Sequence, residues 1–164
     1  HLTIYSELGQ GTTVSLYFPA LVDGQVVQNT AGLAEPQEQV IPGERLVLVV
    51  EDDPAVRRLS EARLMELGFH CIAAASGDEA AEIIAARNDI ALIFTDLVMP
   101  GKLSGYDLAK MVSATHPQIK VLLTSGFSEG MLKDGRIGSE FPILRKPYRQ
   151  SDLIKAIRSV MGDD

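Results

Sequence analysis

Four short stretches of this 164-residue chain place polar chemistry directly after apolar runs. Glu51-Asp52-Asp53 follows residues 46–50, Asp96 follows 90–95, Thr124-Ser125 follows 120–123, and Lys146-Pro147 comes shortly after 142–144. If the acids meet, they repel: two like charges ~4 Å apart cost about 4 kcal/mol at an effective dielectric of 20. A hard divalent cation removes that cost, and Mg²⁺ prefers one or two carboxylates plus waters and phosphate oxygens. Lys146 adds a further positive charge. Acids, a cation, an ammonium and a hydroxyl together suit a transferring phosphoryl group, which is stabilised mainly by positioning and electrostatics.

Whether they meet depends on the elements that carry them. Residues 46–50 are a continuous β-branched and Leu run, the pattern of a strand buried on both faces. Residues 54–68 have helical spacing, with Val56, Leu59, Leu64 and Leu67 on one side and Gly68 as the stop. Further strands are predicted at 71–74, 90–95, 120–123 and 142–144. Helices are predicted at 77–87, 105–115, within 128–134 and at 150–161, the last with Leu153, Ile157 and Val160 inward. Strands alternating with helices imply a parallel sheet covered on both faces, and right-handed crossovers leave few topologies. The expectation is an α/β, flavodoxin-like (βα)5 doubly wound sheet of strand order 2-1-3-4-5. In that order strands one, three, four and five are adjacent. Glu51, Asp52, Asp96, Thr124 and Lys146 then share one rim, at the carboxyl ends where such folds bind ligands.

The amino-terminal quarter reads differently. Residues 1–44 hold no Lys or Arg, whereas all 15 basic residues lie from Arg45 onward, against 17 acidic ones. Residues 1–19 alternate as a β-hairpin through Leu2, Ile4, Val14, Leu16 and Phe18, with Gly9-Gln10-Gly11 as the turn and Pro19 as the stop. A lone hairpin is marginal in water and wants a larger sheet. Residues 20–44 read as a linker and 45–164 as the main domain. The chain opens on His1 rather than Met, which predicts a piece of a longer protein. The net charge of −7 argues against direct nucleic-acid binding. No run approaches the ~18 apolar residues of a membrane span. The single Cys71 excludes an internal disulfide, reads as a small packed side chain and is compatible with a cytoplasmic location.

Val49-Val50-Glu51-Asp52-Asp53, Thr95-Asp96-Leu97-Val98-Met99-Pro100, Leu123-Thr124-Ser125-Gly126 and Arg145-Lys146-Pro147-Tyr148 resemble, in order, the four signatures of response-regulator receiver domains. Their spacing, 44 residues from Asp52 to Asp96, 28 on to Thr124 and 22 on to Lys146, fits that family, and the resemblance covers residues 45–161. It implies that Asp96 takes a phosphoryl group from phosphohistidine on a histidine kinase or histidine-phosphotransfer domain. It implies Mg²⁺ on Glu51, Asp52, Asp96 and the Val98 carbonyl, with Lys146 on Asp96 or a phosphoryl oxygen. Thr124 becomes the hydroxyl that starts a conformational switch, and Pro147 follows a peptide bond that is often cis. Asp53 is read instead as the cap of the helix that Pro54 opens. His70 and His116 are read as structural or surface residues.

Two features depart from the commonest family pattern. Ile143 stands where an aromatic switch residue is frequent, and the loop Gly101-Lys102-Leu103-Ser104-Gly105 is one residue longer. The longer loop resembles receivers attached to hybrid histidine kinases. Residues 4–14 with Tyr17-Phe18-Pro19 resemble the last two strands of a histidine-kinase ATP-binding domain, without its nucleotide-binding boxes. The fragment is therefore not expected to act as a kinase, although the parent would be one, and a membrane anchor in that parent is compatible with the reading. Two other readings use the same residues: a haloacid-dehalogenase-type phosphatase, or a degenerate receiver serving only as a binding module. A homodimer is compatible with the sequence. The acid cluster also leads to the expectation that Asp52→Asn raises thermal stability without Mg²⁺.

Overall fold

A computed structural model of the chain describes residues 1–18, 45–126 and 140–162. The chain divides into two units, residues 1–35 and 36–164. The linker expected at 20–44 and the short helix expected within 128–134 lie outside the described residues.

In the first unit, β1 (Leu2–Glu7) pairs antiparallel with β2 (Gly11–Leu16), matching Leu2 with Leu16 and Ile4 with Val14. The turn needs Gly9 and Gly11, whose φ values of 82° and 95° lie where a Cβ is strained. The Tyr17 amide donates to the His1 carbonyl at 2.8 Å, extending the ladder one step past β2. Phe18, expected within the strand, lies beyond it and is exposed.

The second unit builds five parallel strands: β3 (Leu46–Val50), β4 (His70–Ala74), β5 (Ile90–Asp96), β6 (Lys120–Ser125) and β7 (Ile143–Arg145). Their order is β4-β3-β5-β6-β7, which is 2-1-3-4-5 counted from β3, as expected. Four described helices cover the sheet: α1 (Pro54–Glu66), α2 (Gly77–Ala86), α3 (Gly105–Thr115) and α4 (Gln150–Met161). The pleat sends alternate residues to opposite faces. Leu48, Val50, Ile93, Val121 and Leu123 pack with α2 and α3 residues such as Ile84 and Leu108. Val47, Val49, Leu92, Phe94 and Leu122 pack with Leu64 of α1 and with Leu153 and Ile157 of α4. Both faces are buried, so the strands read as unbroken apolar runs.

Asp53 caps α1, accepting from the Ala55 and Val56 amides at 2.7 and 3.0 Å, with Pro54 at the first helical position. Those bonds hold its carboxyl below the ordinary range. The α1 stripe differs from expectation. Ser60 is buried and Leu59 is 52% exposed. At 100° per residue, Val56, Ser60, Leu64 and Leu67 cluster within one inward sector, and Leu59 lies at its edge. The Gly68 amide bonds to the Met65 carbonyl and the Phe69 amide to Leu64, the paired bonds of a left-handed helix stop. Burial pushes the Cys71 thiol up to about 12, so it packs as an apolar group. No helix among the described residues is long and apolar enough to cross a membrane.

Candidate functional site

The strands that carry Asp96 and Thr124 run further at their carboxyl ends than the sequence pattern predicts. β5 includes Asp96, and β6 continues through Thr124 and Ser125. The parallel ladder matches Asp96 directly with Thr124, and the Leu97 amide donates to the Thr124 carbonyl at 2.8 Å. Asp96 and Thr124 are therefore rungs at the end of a sheet, held by backbone bonds on rigid elements.

Glu51 sits one residue past β3. Its amide donates to the Ala74 carbonyl at 3.2 Å, and its side chain is buried. Asp52 beside it is exposed. Arg57, one turn into α1, reaches back and donates to the Glu51 carbonyl at 2.5 Å and the Asp52 carbonyl at 3.4 Å. Lys146 follows β7, and its amide donates to the Ser125 carbonyl at 2.8 Å. The Lys146–Pro147 bond is cis, as the resemblance implies. The next turn is tied to α1: Arg63 donates to the Tyr148 carbonyl at 3.1 Å and lies over the Tyr148 ring, and Gln150 donates to the Arg63 carbonyl at 3.0 Å. The Tyr148 ring meets Phe94 edge-on, so it serves packing, while Ile143 packs against the opposite core.

The Lys146 ammonium bridges two acids, 2.7 Å from Glu51 Oε2 and 2.9 Å from Asp96 Oδ2. Burial raises the Glu51 carboxyl above its ordinary range, against the pull of Lys146. Burial alone would lower the Lys146 ammonium, but its contacts with Glu51 and Asp96 outweigh that and raise it. Oxygens of Glu51, Asp52 and Asp96 lie within 4.8 Å of one another. Ligands ~2.0–2.1 Å from one octahedral ion stand at most about 4.2 Å apart, so a small side-chain rotation lets all three share a cation. An all-oxygen, acidic donor set suits a hard divalent ion such as Mg²⁺. Val98 lies two residues beyond Asp96, in the β5–α3 loop. The buried Thr124 hydroxyl donates weakly to the Thr95 carbonyl at 3.4 Å.

Three further residues shape the rim, and the sequence pattern did not single them out. Gly105 opens α3 against β5, where any Cβ would overlap the Asp96 carbonyl and crowd Thr95 Oγ1. The signal was a glycine at a helix start after the loop, indistinguishable by sequence from a simple turn glycine. Asp78 in the first turn of α2 accepts from the Lys102 amide at 3.1 Å, anchoring the loop that carries Val98. Arg57 is a third, since a basic residue on a predicted helix ordinarily reads as surface.

The chain matches the family model described as "response regulator receiver domain" over residues 47–158. It is 30% identical over 163 residues to sensor kinase CckA of Brucella abortus, covering 95% of this chain and 17% of that protein. The chain thus spans about a sixth of that relative's length. It is 28% identical to response regulator receiver protein CpdR of Brucella abortus over 70% of this chain and 95% of that one. A response regulator receiver domain protein from Clostridium thermocellum superposes with a TM-score of 0.62 at 27% identity, covering 73% of this chain and 95% of the other. Ordered signatures, sheet topology and the family match over most of the chain converge on one conclusion: this chain belongs to the response regulator receiver domains, the phosphoryl-accepting modules of two-component signalling.

Proposed function

We propose that Asp96 is the phosphoacceptor, taking a phosphoryl group from a phosphohistidine on a histidine kinase or histidine-phosphotransfer domain. In that step the donor's P–N bond breaks and a P–O bond forms to the Asp96 carboxylate. The leaving imidazole keeps the electron pair and takes up a proton. The observation that carries this reading is Lys146 bonded at once to Glu51 and Asp96, with Asp52 in the same cluster. Glu51, Asp52, Asp96 and the Val98 carbonyl would hold Mg²⁺, which would neutralise charge on the phosphoryl oxygens. Lys146 orients Asp96 through its 2.9 Å contact, then offers its ammonium to a phosphoryl oxygen. Thr124 gives up only a long hydrogen bond to Thr95 when it turns toward the new phosphoryl group. That low cost supports its role as the trigger of a population shift.

The test is incubation of the chain with a small phosphodonor and Mg²⁺, read by intact mass. One phosphoryl group per chain, lost in Asp96→Asn and in chelator, is the expected result. Turnover of a generic phosphate ester without a stoichiometric adduct would favour a phosphatase instead. No adduct at all would favour a binding module.

The parent is proposed to be a hybrid sensor histidine kinase with this receiver toward its carboxyl end. Support comes from the alignment with a sensor kinase over 95% of this chain, a span longer than the receiver at 45–164 alone. Residues 1–19 are then the last hairpin of the kinase's ATP-binding domain and 20–44 a linker to the receiver at 45–164. The acidic balance, net −7, favours output through proteins rather than nucleic acid. A reduced Cys71 accords with a cytoplasmic setting.

A further inference from the structure

Resting on that reading of the rim, the geometry points to Arg57 as a positioning residue for the acid pair. Glu51 and Asp52 occupy the turn between β3 and α1, where neither belongs to a strand or helix. A turn of this kind carries main-chain carbonyls that no ladder satisfies. The Glu51 amide is fixed by Ala74 on the neighbouring strand at 3.2 Å. Its carbonyl is fixed by Arg57 Nη1 at 2.5 Å, and the same nitrogen reaches the Asp52 carbonyl at 3.4 Å. Arg57 is itself anchored, because its amide donates to the Asp53 carbonyl at 2.9 Å in the first turn of α1. The guanidinium, half-buried, thus closes a loop from the helix back to the peptides that carry both acids.

Two consequences follow for the site. The peptide planes on either side of Asp52 are held, so the directions of the Glu51 and Asp52 side chains are set before any cation arrives. The Glu51 carbonyl is also turned toward Arg57, and the carboxylates are the turn's charged oxygen donors. Small misplacements of positioned groups are costly in a site of this kind, and Mg²⁺ demands near-ideal octahedral geometry. Lysine carries the charge, but its ammonium stands one bond short of the position that Arg57 Nη1 takes between the two carbonyls. Arg57 bonds to the main chain of Glu51 and Asp52 and not to Asp96, so its effect is on affinity rather than on the chemical step.

The test compares wild type, Arg57→Met and Arg57→Lys in the full chain. Mn²⁺ binding is followed by electron paramagnetic resonance, with Mg²⁺ as competitor, alongside metal-free melting and the phosphorylation rate across a Mg²⁺ titration. Expected is a loss of about tenfold in cation affinity for Arg57→Met, or ~1.4 kcal/mol, with partial recovery in Arg57→Lys. The midpoint of the Mg²⁺ titration should move while the rate at saturation moves much less. Should Arg57→Met fail to fold, Arg57→Lys carries the comparison alone, with an intermediate shift expected. Unchanged cation affinity in a folded variant overturns the role of Arg57 and leaves the site intact. A wild-type chain that binds neither cation overturns the site itself.

Discussion

The hairpin and the parallel sheet use the same local grammar and meet opposite fates. In the hairpin Leu2, Ile4, Val14 and Leu16 alternate correctly, share one face by register, and are all more than half exposed. In the sheet Leu48, Leu92 and Leu122 have no exposed surface. A two-stranded ribbon by itself offers no second layer for its apolar face, whereas α1–α4 cover both faces of the five-stranded sheet. Strand formation is thus a local matter here, while burial, and the stability that comes with it, depends on layers supplied by the rest of a fold.

Truncation tests that contrast most strongly. Leu48→Ala should cost about 3 kcal/mol in chemical denaturation, from lost transfer energy and an unfilled cavity. Ile4→Ala should leave the same transition within ~0.5 kcal/mol. Equal losses would mean that the hairpin shares the receiver's core.

Glycine sharpens the comparison next. Gly105→Ala should cost about 2–3 kcal/mol, because the new methyl group meets the Asp96 backbone rather than a yielding side chain. It should also slow acceptance at Asp96. Gly9→Ala meets no neighbour and strains only the turn, so the receiver's unfolding should be unaffected. Reversal of that order would place the need for glycine in backbone freedom rather than close approach.

At the rim, Lys146→Met leaves Glu51 and Asp96 facing each other without the ammonium. Breaking a buried pair costs ~3–5 kcal/mol, and partial exposure of Lys146 reduces the expected loss to about 2. Added Mg²⁺ should restore most of it, which a metal-free and a Mg²⁺ melt compare directly. The raised Lys146 ammonium contributes stability that is complete below its ordinary 10.5 and is lost as pH climbs through the raised value.

The smallest effect belongs to the acids. A raised Glu51 binds its proton more tightly in the fold, so metal-free stability should fall as pH rises from about 4.5 through the raised value. Glu51→Gln should remove that slope and gain up to ~1 kcal/mol at neutral pH. Asp52→Asn should gain less, since Asp52 is exposed and Lys146 already bridges its two neighbours. A larger gain at Asp52 would mean that it, rather than Glu51, carries the uncompensated charge. The sequence placed the repulsion in an empty cluster; the structure puts a lysine inside it.

The sequence by itself determined the strands, their order and the meeting of Glu51, Asp52, Asp96, Thr124 and Lys146, because unbroken apolar runs between helices admit few windings and polar residues at run ends must share a rim. It also gave the Asp53 cap, a bond made within three residues. Tertiary structure alone decided that Ser60 rather than Leu59 faces inward, that α3 presses a glycine onto Asp96, and that Arg57 turns back to the acids. It decided too that Lys146 bonds two carboxylates at once. Each depends on how closely separate elements approach, and that distance is fixed by packing across the whole core rather than by any local run of residues.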